Sequence, residues 1–189
     1  MIKKLTLLAA VAVTALVALA IPVAAQAEPI VTNSLGEDAT ELTAVSTNLK
    51  TTTAAGTLEC GTVDLQLTGG TGHYQGAGYA VGAGQGSHSG PCKSSSGLTL
   101  HVDSFEATIQ LNGGGTGTID FTYTYRITSP SGALHCDFNA SGGAVTYAPT
   151  SSEISISTSM TGSGLGCATT GNTNGTFAVT SEGESVSIH

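Results

Sequence analysis

The side chains able to do chemistry in this 189-residue chain are few and scattered. Cys60 and Cys92 lie 32 residues apart, Cys136 and Cys167 lie 31 apart, and no two cysteines are closer. Zinc ligands come as close pairs such as C-x2-C, so this spacing speaks against a metal site. His73, His88 and His101 match no compact ligand motif, and His135 and His189 have no neighbours that suggest chemistry. The acids Asp64, Asp103, Glu106, Asp120 and Asp137 are isolated. They form neither a recognisable acid pair for glycoside cleavage nor a D-x-D-x-D run for calcium. There is no G-x-S-x-G nucleophile elbow, no phosphate loop ending in Lys and no G-x-G-x-x-G fingerprint. The expectation is therefore no catalytic set, no metal and no cofactor. The remaining candidates are aromatic. Tyr74 and Tyr79 sit in a stretch, Gly69 to Gly90, that holds nine glycines in 22 residues. Phe121, Tyr123 and Tyr125 form one stripe. Such rings serve either as core or, if exposed, as a platform for sugar rings and apolar ligands.

Composition narrows the partners. Charged residues are 10% of the chain and Trp is absent, which excludes a coiled coil and a charged disordered tail. Met1-Ile2-Lys3-Lys4 is a basic start to an apolar run from Leu5 to Ile21, followed by Pro22 and by Ala25-Gln26-Ala27. This is the pattern of a secretory signal peptide over residues 1–27, with cleavage expected before Glu28. The mature chain then keeps Lys50, Lys93 and Arg126 against 13 acids. So acidic a surface repels phosphate, so nucleic acid and anionic lipid are excluded as partners. No membrane span is expected after cleavage. The product is expected to be secreted or held on the outside of a bacterial envelope, its partner being a cell-surface component or a small ligand.

Periodicity supplies the elements. Ile119, Phe121, Tyr123, Tyr125 and Ile127 alternate with Thr118, Asp120, Thr122, Thr124, Arg126 and Thr128, the signature of a strand with one packed and one wet face. Leu98, Leu100 and Val102 alternate in one phase; Phe105, Ala107, Ile109 and Leu111 continue in the other. That phase change predicts a β-bulge near Asp103-Ser104. Ile154 and Ile156 alternate with Ser, and Phe177, Val179, Val186 and Ile188 end the chain. Glycine clusters at 113–115 and 142–143 read as breaks between strands. No helix is predicted after the leader; residues 28–40 read as a solvated acidic lead-in. The fold expected is all-β, a β-sandwich or jelly-roll-like domain over 41–189.

The cysteines also carry an internal repeat. At an offset of 76, Gly56-Thr57-Leu58-Glu59-Cys60 matches Gly132-Ala133-Leu134-His135-Cys136, and Lys50 falls on Arg126. After the second cysteines the offset becomes 79, placing Ala107 on Val186 and Ile109 on Ile188. Two duplicated halves, 41–112 and 117–189, are inferred, sharing one core because each is too small to bury its own. Four cysteines in an exported chain imply two disulfides in one of three pairings. The repeat favours Cys60–Cys92 and Cys136–Cys167. Each would close a loop worth roughly 3–4 kcal/mol in the chain-entropy view.

Gly56, Leu58, Cys60 and Cys92, with their second-half equivalents and the leader, resemble small exported bacterial two-disulfide β-sandwich proteins. Some of these are similar to the PraB-type activator of alkane oxidation. The chain lacks the Leu-Pro-Trp turn associated with that type, having no Trp. In composition, though not in cysteine spacing, it is also similar to neocarzinostatin-like apoproteins, which hold a small apolar ligand in a β-sandwich. These resemblances imply architecture rather than chemistry. The function expected is a non-catalytic, exported structural or surface-interaction protein. The alternative is an extracellular carrier of a small apolar or carbohydrate ligand, using Tyr74, Tyr79 or the Phe121 stripe.

Overall fold

The structure, a computed structural model, describes residues 31–81, 91–95, 99–129 and 132–189. The expected leader at 1–27, His88 and Leu98 lie outside the described residues. Fourteen strands follow one another: β1 (Val31–Thr32), β2 (Glu41–Ser46), β3 (Lys50–Thr53), β4 (Gly56–Glu59), β5 (Thr62–Gly70), β6 (His73–Val81), β7 (Pro91–Ser94), β8 (Thr99–Asn112), β9 (Thr116–Ser129), β10 (Gly132–Tyr147), β11 (Glu153–Ser163), β12 (Thr170–Ser181), β13 (Glu184–Ser185) and β14 (Ser187–Ile188). Among the described residues there is no helix. Alternation is the reason. On β11, Ile154, Ile156, Thr158 and Met160 are buried while Ser155, Ser157, Ser159 and Thr161 are exposed. A period of two serves a strand and would scatter the apolar groups around a helix.

The sheet closes on itself. β2, β5, β6, β8, β9, β10, β11 and β12 neighbour one another in chain order, every pairing antiparallel, and β12 pairs with β2 to complete the ring. The expected β-sandwich is thus corrected to an eight-stranded closed barrel. A sandwich needs two sheets with open edges, whereas here β12 has β11 on one edge and β2 and β3 on the other. A jelly roll also fails, because its Greek-key connections would take the strands out of chain order.

The ring has two levels. At the end where β1 and β14 pair, the circuit runs through β2, β5 and β6. At the other end β3, β4 and β7 take their places between β12 and β8. The substitution is possible because β8 and β12 are long enough to hold two partners in succession. Gly78 pairs with Phe105 lower on β8 and Pro91 with His101 higher up; between them the register slips at Val102/Ser104, where the bulge was expected. Gly142-Gly143 is not the expected break. β10 runs through it with a second bulge between Ala140 and Gly143, Gly142 adopting φ 65°.

The disulfides are Cys60–Cys92 and Cys136–Cys167, the pairing the repeat favoured. Cys60 follows β4 where the two levels part and is joined to β7. Cys136 on β10 holds the loop between β11 and β12. At the 76-residue offset the hairpins correspond in register: Lys50 faces Glu59 across β3–β4, and Arg126 faces His135 across β9–β10. Further on the correspondence ends. Ala107 and Ile109 line β8, whereas Val186 and Ile188 belong to the segment that seals the base.

One core fills the barrel. Phe105, Phe121, Tyr123 and Phe138 stack with ring centroids 5.4–5.8 Å apart, each pair contributing about 0.5–1.5 kcal/mol beyond its burial. Beside them runs a buried polar chain. The Tyr123 hydroxyl donates to Thr51 Oγ1 at 3.0 Å, Thr51 and Thr173 share a hydrogen bond of 2.7 Å, and Thr173 Oγ1 donates to Met160 Sδ. Low dielectric strengthens such a chain and makes any missing member costly. At the base, residues 31–39 are tied to the barrel at both ends of the segment while 34–38 stay exposed. Val31 and Ala39 are buried, β1 pairs with β14, and Thr32 Oγ1 lies 3.0 Å from His189 Nε2.

Glycine serves the packing twice: a Cβ at Gly162 would lie 2.9 Å from Phe138 Cε1. On β6 a Cβ at Gly76 would fall inside the carbonyl group of Gln66, so β5 and β6 approach at a distance only glycine permits. Gly76→Ala is expected to destabilise the barrel by about 3 kcal/mol, the top of the overpacking range, measured by urea unfolding. Thr173→Val keeps the shape but removes the hydroxyl between Thr51 and Met160. A loss of about 1–2 kcal/mol is expected at unchanged m-value.

Candidate functional site

The aromatic candidates go inward. Phe121 and Tyr123 are 1% and 2% exposed, and lie in the stack just described rather than on a platform. Their strand was read correctly as half-buried; closure of the barrel then placed its apolar face inside. Tyr74 is also buried, its hydroxyl donating to the Ala39 carbonyl at 3.1 Å beneath the base. It therefore anchors the segment at 31–39 and cannot reach a ligand in solution. Tyr79 and Tyr125 lie on β6 and β9, but their side chains, like those of His101, Asp103 and Lys93, lie outside the described residues.

The polar candidates are dispersed. His73 pairs with Gln110 near the base, while His101 lies nine residues away along β8, about 30 Å at the rise of a strand. His135 is exposed near the opposite end, and His189 meets Thr32. Among the described residues no three of His, Cys, Asp and Glu come together to hold a metal. Three of the acids are instead tied to local partners. Asp64 accepts from Gln66 Nε2 at 2.7 Å, Asp137 accepts from Thr124 Oγ1 at 2.8 Å, and Asp120 accepts from the Gly142 N–H at 2.8 Å.

The wall of the barrel carries two open grooves. The first, about 480 Å³, crosses β5, β6, β8 and β9 and is lined by Thr68, Gln75, Thr108, Thr122, Glu106 and Asp120. Glu106 pairs with Thr122 and Thr108 with Asp120, so the two carboxyls are diagonal neighbours on adjacent strands. Hydrogen bonds from the Gly142 N–H and the Ser141 hydroxyl hold the Asp120 carboxyl below its ordinary pKa. It stays ionised at neutral pH, which suits a hydrogen-bond acceptor and not a proton donor. The second groove, about 450 Å³, lies across β3, β12 and β11, between the β3–β4 turn and the β11–β12 loop. Its polar lining is uncharged. Sequence reasoning missed it: Thr52, Thr161, Thr170 and Asn172 read only as the wet faces of separate strands.

The polarity of the whole wall is informative. Outward positions along β9, β11 and β12 are mostly Thr, Ser, Asn and Asp, with Glu153 and Ala178 the exceptions among the described side chains, while the large apolar side chains face inward. A barrel that crosses a membrane has the opposite arrangement, with an apolar outer band. Among the described residues no helix is long and apolar enough to cross a membrane. Two disulfides fit an oxidising compartment. Comparison with protein-family profiles, with curated proteins and with solved structures found no match.

Burial, with the negative charge of Asp38 adding to it, pushes the Tyr74 hydroxyl up to about 12. The folded state therefore keeps the proton that the unfolded chain releases near pH 10. The stability linked to this group is complete below pH 10 and is lost as pH rises toward 12. A shift of that size corresponds to about 2–3 kcal/mol. Urea unfolding at pH 9 to 12 is expected to show the decline, and Tyr74→Phe is expected to flatten that part of the profile.

Proposed function

We propose that this protein is a non-catalytic, exported structural or surface-interaction module, built by duplication of a β-hairpin-containing half and working through its outer wall. The observation that carries this reading is the distribution of chemistry. A closed barrel with an apolar core presents a hydroxyl- and amide-rich surface, with Asp64, Asp120 and Asp137 each tied to a neighbour. The mature chain's acidic balance keeps such a surface dispersed in water. The disulfides and the sealed base make it resistant outside a cell, where no chaperone repairs it. The matching registers of β3–β4 and β9–β10 support the duplication of the N-terminal part of each half.

A carrier that encloses an apolar ligand is disfavoured by the same packing. A guest among the rings of Phe105, Phe121, Tyr123 and Phe138 would have to displace one of them, because their centroids already lie 5.4–5.8 Å apart. The wall, not the interior, is the working part.

Expression of the full chain in a bacterial host tests the reading. The expected product starts at Glu28, is found in the medium or exposed to added protease on intact cells, and carries no free thiol. A chain that keeps residues 1–27 and stays inside the cell would overturn it.

A further inference from the structure

The uncharged groove is the strongest feature the fold leaves unused. Its floor is strand surface from three directions. Thr52 of β3 pairs with Asn172 of β12, Asn172 pairs with Ser159 of β11, and Thr161 pairs with Thr170 one step higher. All five side chains are exposed. Asn172 Oδ1 accepts from Ser159 Oγ at 2.9 Å, which orients the amide and leaves its NH2 group with no hydrogen bond among the described residues. The hydroxyls of Thr52 and Thr170 likewise make none. A donor-rich amide and two hydroxyls thus line one depression of about 450 Å³, with no ionisable group among its lining residues.

Its rims are apolar and held in place. On one side stands the β3–β4 turn with Ala54 and Ala55 exposed, fixed by Thr53 Oγ1 donating to the Gly56 carbonyl at 3.0 Å. On the other side the chain continues past the Thr161–Thr170 pair into the β11–β12 loop, where Leu165 is 91% exposed. That loop is fixed twice. Cys167 is bonded to Cys136 on β10, and the Gly162 N–H donates to the Thr169 carbonyl at 2.8 Å. Gly164, at φ 121°, turns the chain where a Cβ would collide with the same disulfide. A loop constrained in this way presents its leucine in one position instead of folding it into the core.

Uncharged donors and acceptors on a strand floor, with small apolar groups at both rims, match a ligand that is itself neutral, rich in hydroxyls and apolar on its C–H faces. We propose that this groove binds sugar units of a neutral polysaccharide. Thr52, Thr170 and Asn172 hydrogen-bond ring hydroxyls, and Leu165 and Ala54 pack on C–H surface. The proposal rests on the surface-interaction reading above and assigns that interaction a place and a partner chemistry. Polyanionic polysaccharides are excluded by the net charge of the chain. Because no charge takes part, binding should be insensitive to salt.

Affinity electrophoresis of the disulfide-bonded protein through gels containing dextran, soluble starch, mixed-linkage glucan, xylan, mannan or alginate tests this. Retardation by at least one neutral polymer and none by alginate is expected. Co-precipitation with that polymer should be equal at 0.05 and 0.5 M NaCl. Asn172→Ala and Leu165→Ser should each weaken retardation at least five-fold, with thermal midpoints within a few degrees of the parent because both side chains are exposed. The pair Glu106→Gln and Asp120→Asn, in the other groove, should leave it unchanged. Absence of retardation by every neutral polymer overturns the proposal, as does retardation that survives both groove substitutions or disappears with the acid-groove pair. Export and cleavage at Glu28 would be unaffected by any of these results, so the proposal can fail while the broader reading stands.

Discussion

The rest of the molecule depends on strand β12 having both its edges occupied. Through Thr170–Ala178 it pairs with β11, and on its other edge Gly171–Asn174 holds β3 while Ala178–Thr180 holds β2. Remove either contact and the barrel becomes an open sheet with two bare edges. For a chain with 10% charged residues that would be hazardous, since such a sequence has few of the edge lysines and glutamates that normally block strand addition. Closure removes the hazard by geometry. It also sets the interior volume, because eight antiparallel strands enclose a space that side chains can just fill. The four-ring stack, with Gly162 against Phe138, is the solution to that fixed volume.

The two-level ring explains where the disulfides are needed. A simple barrel holds each strand along its whole length, but here β5 and β6 give way to β4 and β7 partway up. The strands change partners at the junction, and there the Cys60–Cys92 bridge fastens β7 to the end of β4. On the other side of the barrel, Cys136–Cys167 holds a loop that few apolar contacts would otherwise retain. The base has no such change of partners. There β1, β14, Val186 and Ala39 are packed and hydrogen-bonded, and the Tyr74 hydroxyl fastens the segment to the barrel. Covalent bonds sit at one end and burial at the other, each supplying what the local ladder lacks.

The same closure gives the wall its character. Every strand must send one face inward, so its alternate residues form a continuous outer surface, and in this sequence those residues are mostly Thr, Ser and Asn. Their side chains bridge neighbouring strands, as in Ser155 with Thr176, Ser159 with Asn172 and Thr122 with Asn139. The acids are spread over the strands, never more than two to one strand, and β12 carries none. The two grooves differ because Glu106 and Asp120 line one while no ionisable side chain lines the other.

Several features were legible because they are local. Alternation along β9 and β11, the phase slip at Asp103-Ser104 and the turn at Gly113-Gly114-Gly115 depend on residues a few positions apart, and side-chain sterics fix them before any tertiary contact forms. The cysteine pairing was legible through the repeat. What the sequence determined by itself was strand after strand with one wet and one dry face, cross-linked within each half. It did not determine sandwich or barrel. That choice depends on whether β12 meets β2 and β3, 118 or more residues away, and alternation looks the same in either case. The fate of Tyr74, Phe121 and Tyr123 followed from closure, which turned a possible platform into a core. The uncharged groove arose partly the same way: Thr161, Thr170 and Asn172 meet within the β11–β12 hairpin, but Thr52 joins them only when the ring closes, because that contact depends on register between distant segments.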